Sequence, residues 1–158
     1  MNDYLGLSRR DVGAGLAAAG AAYVAAALFA LFNLLSGSVS GGSPISTLGL
    51  IVTPVVALAV ATVVWRVAMP DEPNPRYGAV AGVVSGVVSV LVFTVLIGIT
   101  AVLIGSPGGP PPGGTVFESI SFVAVIVGFG LLFALPFIGP IAASVGYGYE
   151  RYLARGRN

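Results

Sequence analysis

Four long stretches of this chain carry almost no charge: 12–35, 45–69, 77–105 and 115–149, interrupted only by Arg66 and Glu118. About 20 apolar residues in helical form cross a hydrocarbon core of roughly 30 Å, so every stretch is long enough to span a bilayer. The predicted fold class is therefore all-α, a bundle of four transmembrane helices. Composition agrees. Hydrophobic residues make up 56% of the chain and charged ones 8%, with a mean hydropathy of +0.99. A soluble domain carries about 25% charged residues; this chain has too little polar material to cover a surface facing water.

Each stretch opens on a helix start. Ser8-Arg9-Arg10-Asp11 and Thr115-Val116-Phe117-Glu118 have the form of capping boxes, in which Ser8 and Thr115 pair with Asp11 and Glu118 to satisfy the first free amides. Ser43-Pro44 and Asn74-Pro75 combine an N-cap with proline at the first helical position. The stops are Ser36-Gly37, Pro70, Ser106-Pro107 and Gly156. Together they predict helices over about 9–35, 44–69, 75–105 and 116–155. These form one domain over 1–158, with an inner loop at 70–74 and outer loops at 36–43 and 106–115. The third and fourth helices exceed a simple crossing and must tilt, bend or project. Pro136 and Pro140 offer a kink in the fourth, and Pro54 in the second.

Every basic residue is an arginine, and all seven fall on segments that four crossings place at one side. The uncharged outer loops are Gly/Ser/Pro-rich linkers. By the positive-inside rule both termini are cytoplasmic. Trp65, Tyr77, Tyr147, Tyr149 and Tyr152 gather at the same end, where amphipathic rings favour the headgroup level. Arg66, Arg76, Arg151 and Arg155 are candidates for contact with anionic headgroups, worth about 1 kcal/mol per arginine.

The most informative motif is Gly-x-x-x-Gly repeated at Gly78, Gly82 and Gly86, with Ser85 and Ser89 beside it. Spacing of four places these residues on one helix face. In lipid such a small-residue face lets a second helix approach closely. Two occupants are expected. One is the first helix of the same chain, through Gly13, Ala17, Gly20 and Ala21; the other is a second copy, making a homo-oligomer.

Chemistry is harder to find. Cysteine and histidine are absent, which removes disulfides, the usual zinc sites and histidine-ligated haem. No nucleophile–base or carboxylate pair lies at a plausible spacing, so neither an enzyme nor a cofactor is expected. A net charge of +1 gives no case for nucleic acid. No charge falls in the middle third of any helix, against ion-coupled transport. Asn33, Thr53, Thr62, Thr94, Thr100 and Ser144 are polar groups within the stretches, and hydroxyls there can bond to their own helix. The two halves share a plan that resembles a parallel duplication of a helical hairpin. The paired arginines before the first helix resemble a twin-arginine export signal, yet the following run is too long for a signal core, and a retained helix is expected.

Four spans, arginine without lysine, uncharged outer loops and Arg76-Tyr77-Gly78-Ala79-Val80-Ala81-Gly82 opening a glycine-striped helix resemble the small multi-pass membrane proteins of haloarchaea. The resemblance implies a fold and an archaeal origin, not an activity. The expected role is a non-enzymatic structural or accessory component of the cell membrane, with the lipid bilayer, a second copy or another membrane subunit as partner. The alternative is a small channel or carrier for neutral or weakly polar solutes, which requires a polar cavity at mid-depth near Thr53, Thr94 and Pro136.

Overall fold

The computed structural model describes residues 8–36, 44–70, 72–104 and 115–156. The N-cap at Ser43, the stops at Gly37 and Ser106-Pro107, Arg157, the Asn33 side chain and nearly all of both outer loops lie outside the described residues. Four α-helices make up the fold: α1 (Arg9–Leu35), α2 (Pro44–Ala68), α3 (Pro75–Ile104) and α4 (Val116–Arg155). All four are long and apolar enough to cross a membrane. At 1.5 Å per residue, the 40 residues of α4 reach about 60 Å, twice the hydrocarbon thickness.

The helices form a ring. The most extensive contact is α3 with α4, followed by α1 with α2; α2–α3 and α1–α4 contacts close the circuit. Both major pairs are hairpins of consecutive helices, so neighbours run antiparallel.

The partner of the glycine strip differs from the first expectation. Gly78, Gly82 and Gly86 pack against α4, not against α1. A Cβ added at Gly82 would overlap the Ala142 carbonyl oxygen, and one at Gly146 would overlap the carbonyl of Gly78. Next along the strip, a Cβ at Gly86 would lie 2.9 Å from the Ala142 methyl and 3.1 Å from Ile138. Both helices present bare backbone at one level, which permits this close approach. Gly13 and Gly15 of α1 are occupied elsewhere, against the Tyr149 hydroxyl and Thr62 Oγ1.

Small residues fill the interior and large ones face out. Ala14, Ala57, Ala61, Ala81 and Val90 are buried, with Trp65 the one large apolar side chain among them. Leu28, Phe29, Phe32, Leu103, Phe133 and Phe137 are exposed. This inverts the arrangement of a water-soluble core. It suits lipid, where close van der Waals packing replaces the hydrophobic drive between helices.

Several hydroxyls within the helices bond back to their own backbone. Thr62 donates to Leu58 O at 2.7 Å, Ser85 to Ala81 O at 2.7 Å, Thr94 to Val90 O at 2.8 Å, Thr100 to Leu96 O at 2.7 Å and Ser144 to Pro140 O at 2.8 Å. Helices α2 and α4 continue through Pro54, Pro136 and Pro140, each of which lacks an amide for the carbonyl four residues earlier. Burial concentrates at the arginine-bearing end. Asp11, Ala14 and Gly15 are the buried residues of α1, and Gly146 and Glu150 those of α4, among the described residues.

Candidate functional site

Four positions of α4 at spacing four, Ile138, Ala142, Gly146 and Glu150, lie on the face turned to the glycine strip. The first three are apolar or small. The last carries a carboxylate that is fully buried, with 0% exposure.

Burying a carboxylate costs several kcal/mol unless its lone pairs are met and its charge is countered. Glu150 has both. Its Oε1 accepts from Arg10 Nε at 3.0 Å and from the Trp65 indole Nε1 at 3.0 Å. Its Oε2 accepts from Arg10 Nη2 at 2.6 Å and from the Asn74 backbone amide at 3.1 Å. The two arginine bonds form a planar fork, the strongest pairing open to these groups. Arg10 also donates from Nη1 to the Pro70 carbonyl at 2.6 Å. One carboxylate thus joins α1, α2, the α2–α3 connection and α4.

Neighbouring groups hold the donors in position. The Tyr149 hydroxyl donates to the Arg10 carbonyl at 3.0 Å, and its ring meets Trp65 edge-on with centroids 6.4 Å apart. Gly13 leaves room for that tyrosine: a Cβ there would overlap its hydroxyl. Asn74 caps α3, its Oδ1 accepting from the Arg76 amide at 3.0 Å, which aims its own amide at Glu150. Ser8 accepts from the Asp11 amide at 3.2 Å, and Asp11 accepts from the Ser8 amide at 3.0 Å, fixing the turn that carries Arg10.

With four donors on its two oxygens, the carboxylate is a structural clasp. No group of three or more metal-binding side chains occurs among the described residues. At the other end Thr115 and Glu118 form their reciprocal cap, both bonds 3.3 Å and exposed. Arg66, Arg76, Arg151 and Arg155 are exposed at the clasp end, whereas the Arg10 side chain is drawn inward to 18% exposure. Within the strip Ser85 is buried and bonded to its own helix, while the buried Ser89 hydroxyl has no partner among the described residues.

Glu150, Arg10, Trp65 and Asn74 do not stand out as a set in the sequence. Glu150 reads there as part of a basic tail and Trp65 as part of an aromatic belt. Spacing points to Glu150 alone, an acid four residues beyond Gly146 on the face that packs against α3; it does not pick out Arg10, Trp65 or Asn74.

Among the described residues, grooves flank the bundle at both ends. One lies at the clasp end, with a volume of about 700 Å³, between the start of α1 and the end of α4. The other, about 430 Å³, lies at the opposite end between Ile99–Leu103 of α3 and Ser119–Ala124 of α4, and its wall is apolar. Neither is at mid-depth. Comparison of the chain with protein-family models, curated proteins and solved structures finds no match.

Proposed function

We propose that the chain is a non-enzymatic, multi-pass component of the cell membrane, with both termini on the cytoplasmic side and a structural or accessory role. The observation that carries this reading is the α3–α4 interface. There the backbones of Gly78, Gly82, Ala142 and Gly146 meet directly. Thr94, which a carrier would turn into a polar pathway, instead bonds its own helix and packs its methyl over Gly130. A protein that works by holding helices together, as scaffold or subunit, has this kind of centre.

Proteoliposome swelling tests it. Vesicles containing the purified chain should shrink and recover in glycerol or urea gradients at the rate of empty vesicles. Faster recovery that depends on the protein would replace this reading with that of a small channel or carrier.

A further inference from the structure

Gly13 and Gly20 lie two turns apart on one face of α1, and they meet different surroundings. At Gly13 the space is taken by the Tyr149 hydroxyl of α4, which a Cβ there would overlap. At Gly20, about 10 Å further from the clasp, a Cβ would meet nothing within 4 Å. The facing row of α4 changes in the same direction. Steps of four from Tyr149 reach Val145, Ile141 and Phe137; Val145 is half-buried, Ile141 is 47% exposed and Phe137 72%. No described residue of α1 beyond Gly15 is buried, and α1–α4 contacts are the sparsest of the four in the ring. The α1–α4 seam is shut at the clasp and widens away from it. Other seams stay closed at greater depth. Between α3 and α4, Thr94 packs over Gly130, and Val123 lies 3.1 Å from a Cβ at Gly98. Between α2 and α3, the Phe93 ring lies 3.8 Å from a Cβ at Gly49.

We propose that the fold carries a one-ended hinge: the α1–α2 hairpin swings on the α3–α4 hairpin about the clasp and the α2–α3 seam, and the far half of the α1–α4 seam opens and closes sideways. The hydrogen bonds found between the hairpins among the described residues all lie at the clasp, where Glu150 accepts from Arg10 and Trp65 and Tyr149 donates to the Arg10 carbonyl. Parting that end strips donors from a buried carboxylate, which is costly. Parting the far half breaks few contacts, and local opening follows low contact density. Each hairpin has the more extensive contact within itself than with the other, so the two can move as packed units about a short pivot. The inference concerns motion and is independent of which compartment the clasp end faces.

Double electron–electron resonance on the full chain in lipid nanodiscs tests it, since the chain has no cysteine of its own to label. Leu28, Leu96 and Leu132 are exposed and sit at one level, each eighteen residues along its helix from Arg10, Gly78 and Glu150 respectively. Val12 and Tyr152 are exposed near the clasp and take no part in its bonds. Spin labels on Leu28→Cys/Leu132→Cys span the far half of the seam. Labels on Leu96→Cys/Leu132→Cys stay within one hairpin, and labels on Val12→Cys/Tyr152→Cys span the seam at the clasp. The Leu28→Cys/Leu132→Cys distance distribution should be about twice as broad as the other two. Equal widths for all three pairs, or the greatest width at the clasp, would overturn the hinge. Adding Arg10→Met/Glu150→Leu should broaden the Val12→Cys/Tyr152→Cys distribution to match the far pair; a width that stays narrow would overturn the clasp as pivot. Should that variant not fold, comparison of the three pairs in the otherwise unmodified chain decides alone.

Discussion

Gly78 leaves the space that the side chain of Glu150 occupies. A Cβ at position 78 would overlap Glu150 Cγ and come within 2.9 Å of its Cβ and 2.5 Å of the Gly146 carbonyl oxygen. The first glycine of the strip is thus part of the clasp, and the strip and the buried ion pair act as one device. Close α3–α4 approach carries the carboxylate inward, and the carboxylate then gathers α1 and α2 around it.

Gly78→Ala should therefore destabilise the protein, although alanine is the better helix former. Overpacking of a tight interface costs about 1–3 kcal/mol, and displacement of Glu150 adds to it. Gly20→Ala supplies the control, since nothing lies within 4 Å of a Cβ there; it should be neutral or stabilising by up to about 1 kcal/mol. Thermal unfolding in one detergent compares the two. Equal behaviour of both variants would show that α3 and α4 do not approach this closely at Gly78.

The Arg10–Glu150 pair should respond asymmetrically to truncation. Removal of either partner leaves a buried charge uncompensated, at a cost of about 3–5 kcal/mol, whereas apolar replacement of both is often near neutral. Arg10→Met and Glu150→Leu should each lower stability by that order, and the double variant should lose much less than their sum. Because the Glu150 carboxylate is fully buried and the Arg10 side chain only 18% exposed, the coupling should depend less on salt than that of a surface pair. An additive cycle would mean that the two residues stabilise the fold independently.

Trp65→Phe separates the indole donor from the ring. Trp65 is 3% exposed and part of the buried cluster with Ala14, Ala61 and Ala81. Phenylalanine keeps most of the apolar volume and loses the bond to Glu150 Oε1. A hydrogen bond to a charged group contributes about 1.5–3 kcal/mol, and Trp65→Phe should cost about that. Trp65→Leu should cost more, because it also removes the edge contact with Tyr149. Chemical denaturation of both variants orders them.

Much of the architecture is legible in the sequence because lipid-length apolar runs and caps are local signals. The boxes at Ser8–Asp11 and Thr115–Glu118 mark α1 and α4 directly. What covers a small-residue face is a different kind of question. Gly78, Gly82 and Gly86 indicate close approach without indicating the partner. Alanine-rich α1 is suitable by composition, yet α4 supplies Gly146 and Ala142 at matching levels. Glu150 is obscured by Arg151 and Arg155 beside it, since a charge near a helix end reads as solvated until the packing face is known.

Threading across the bilayer can be tested at the two ends of the α3–α4 hairpin, and the absence of cysteine makes the experiment clean. Arg76→Cys lies at the clasp end, in the first turn of α3, and Thr115→Cys lies at the far end, on the N-cap of α4. The 30 residues of α3 reach about 45 Å, more than the roughly 30 Å of hydrocarbon, so the two positions should open to opposite compartments. A membrane-impermeant maleimide added to intact cells should modify Thr115→Cys and spare Arg76→Cys until the cells are lysed. Six exposed or partly exposed arginines at the clasp end, against none described at the other, set this direction through the positive-inside bias. Modification of both positions in intact cells would exclude α3 as a crossing, and the reverse pattern would invert the orientation.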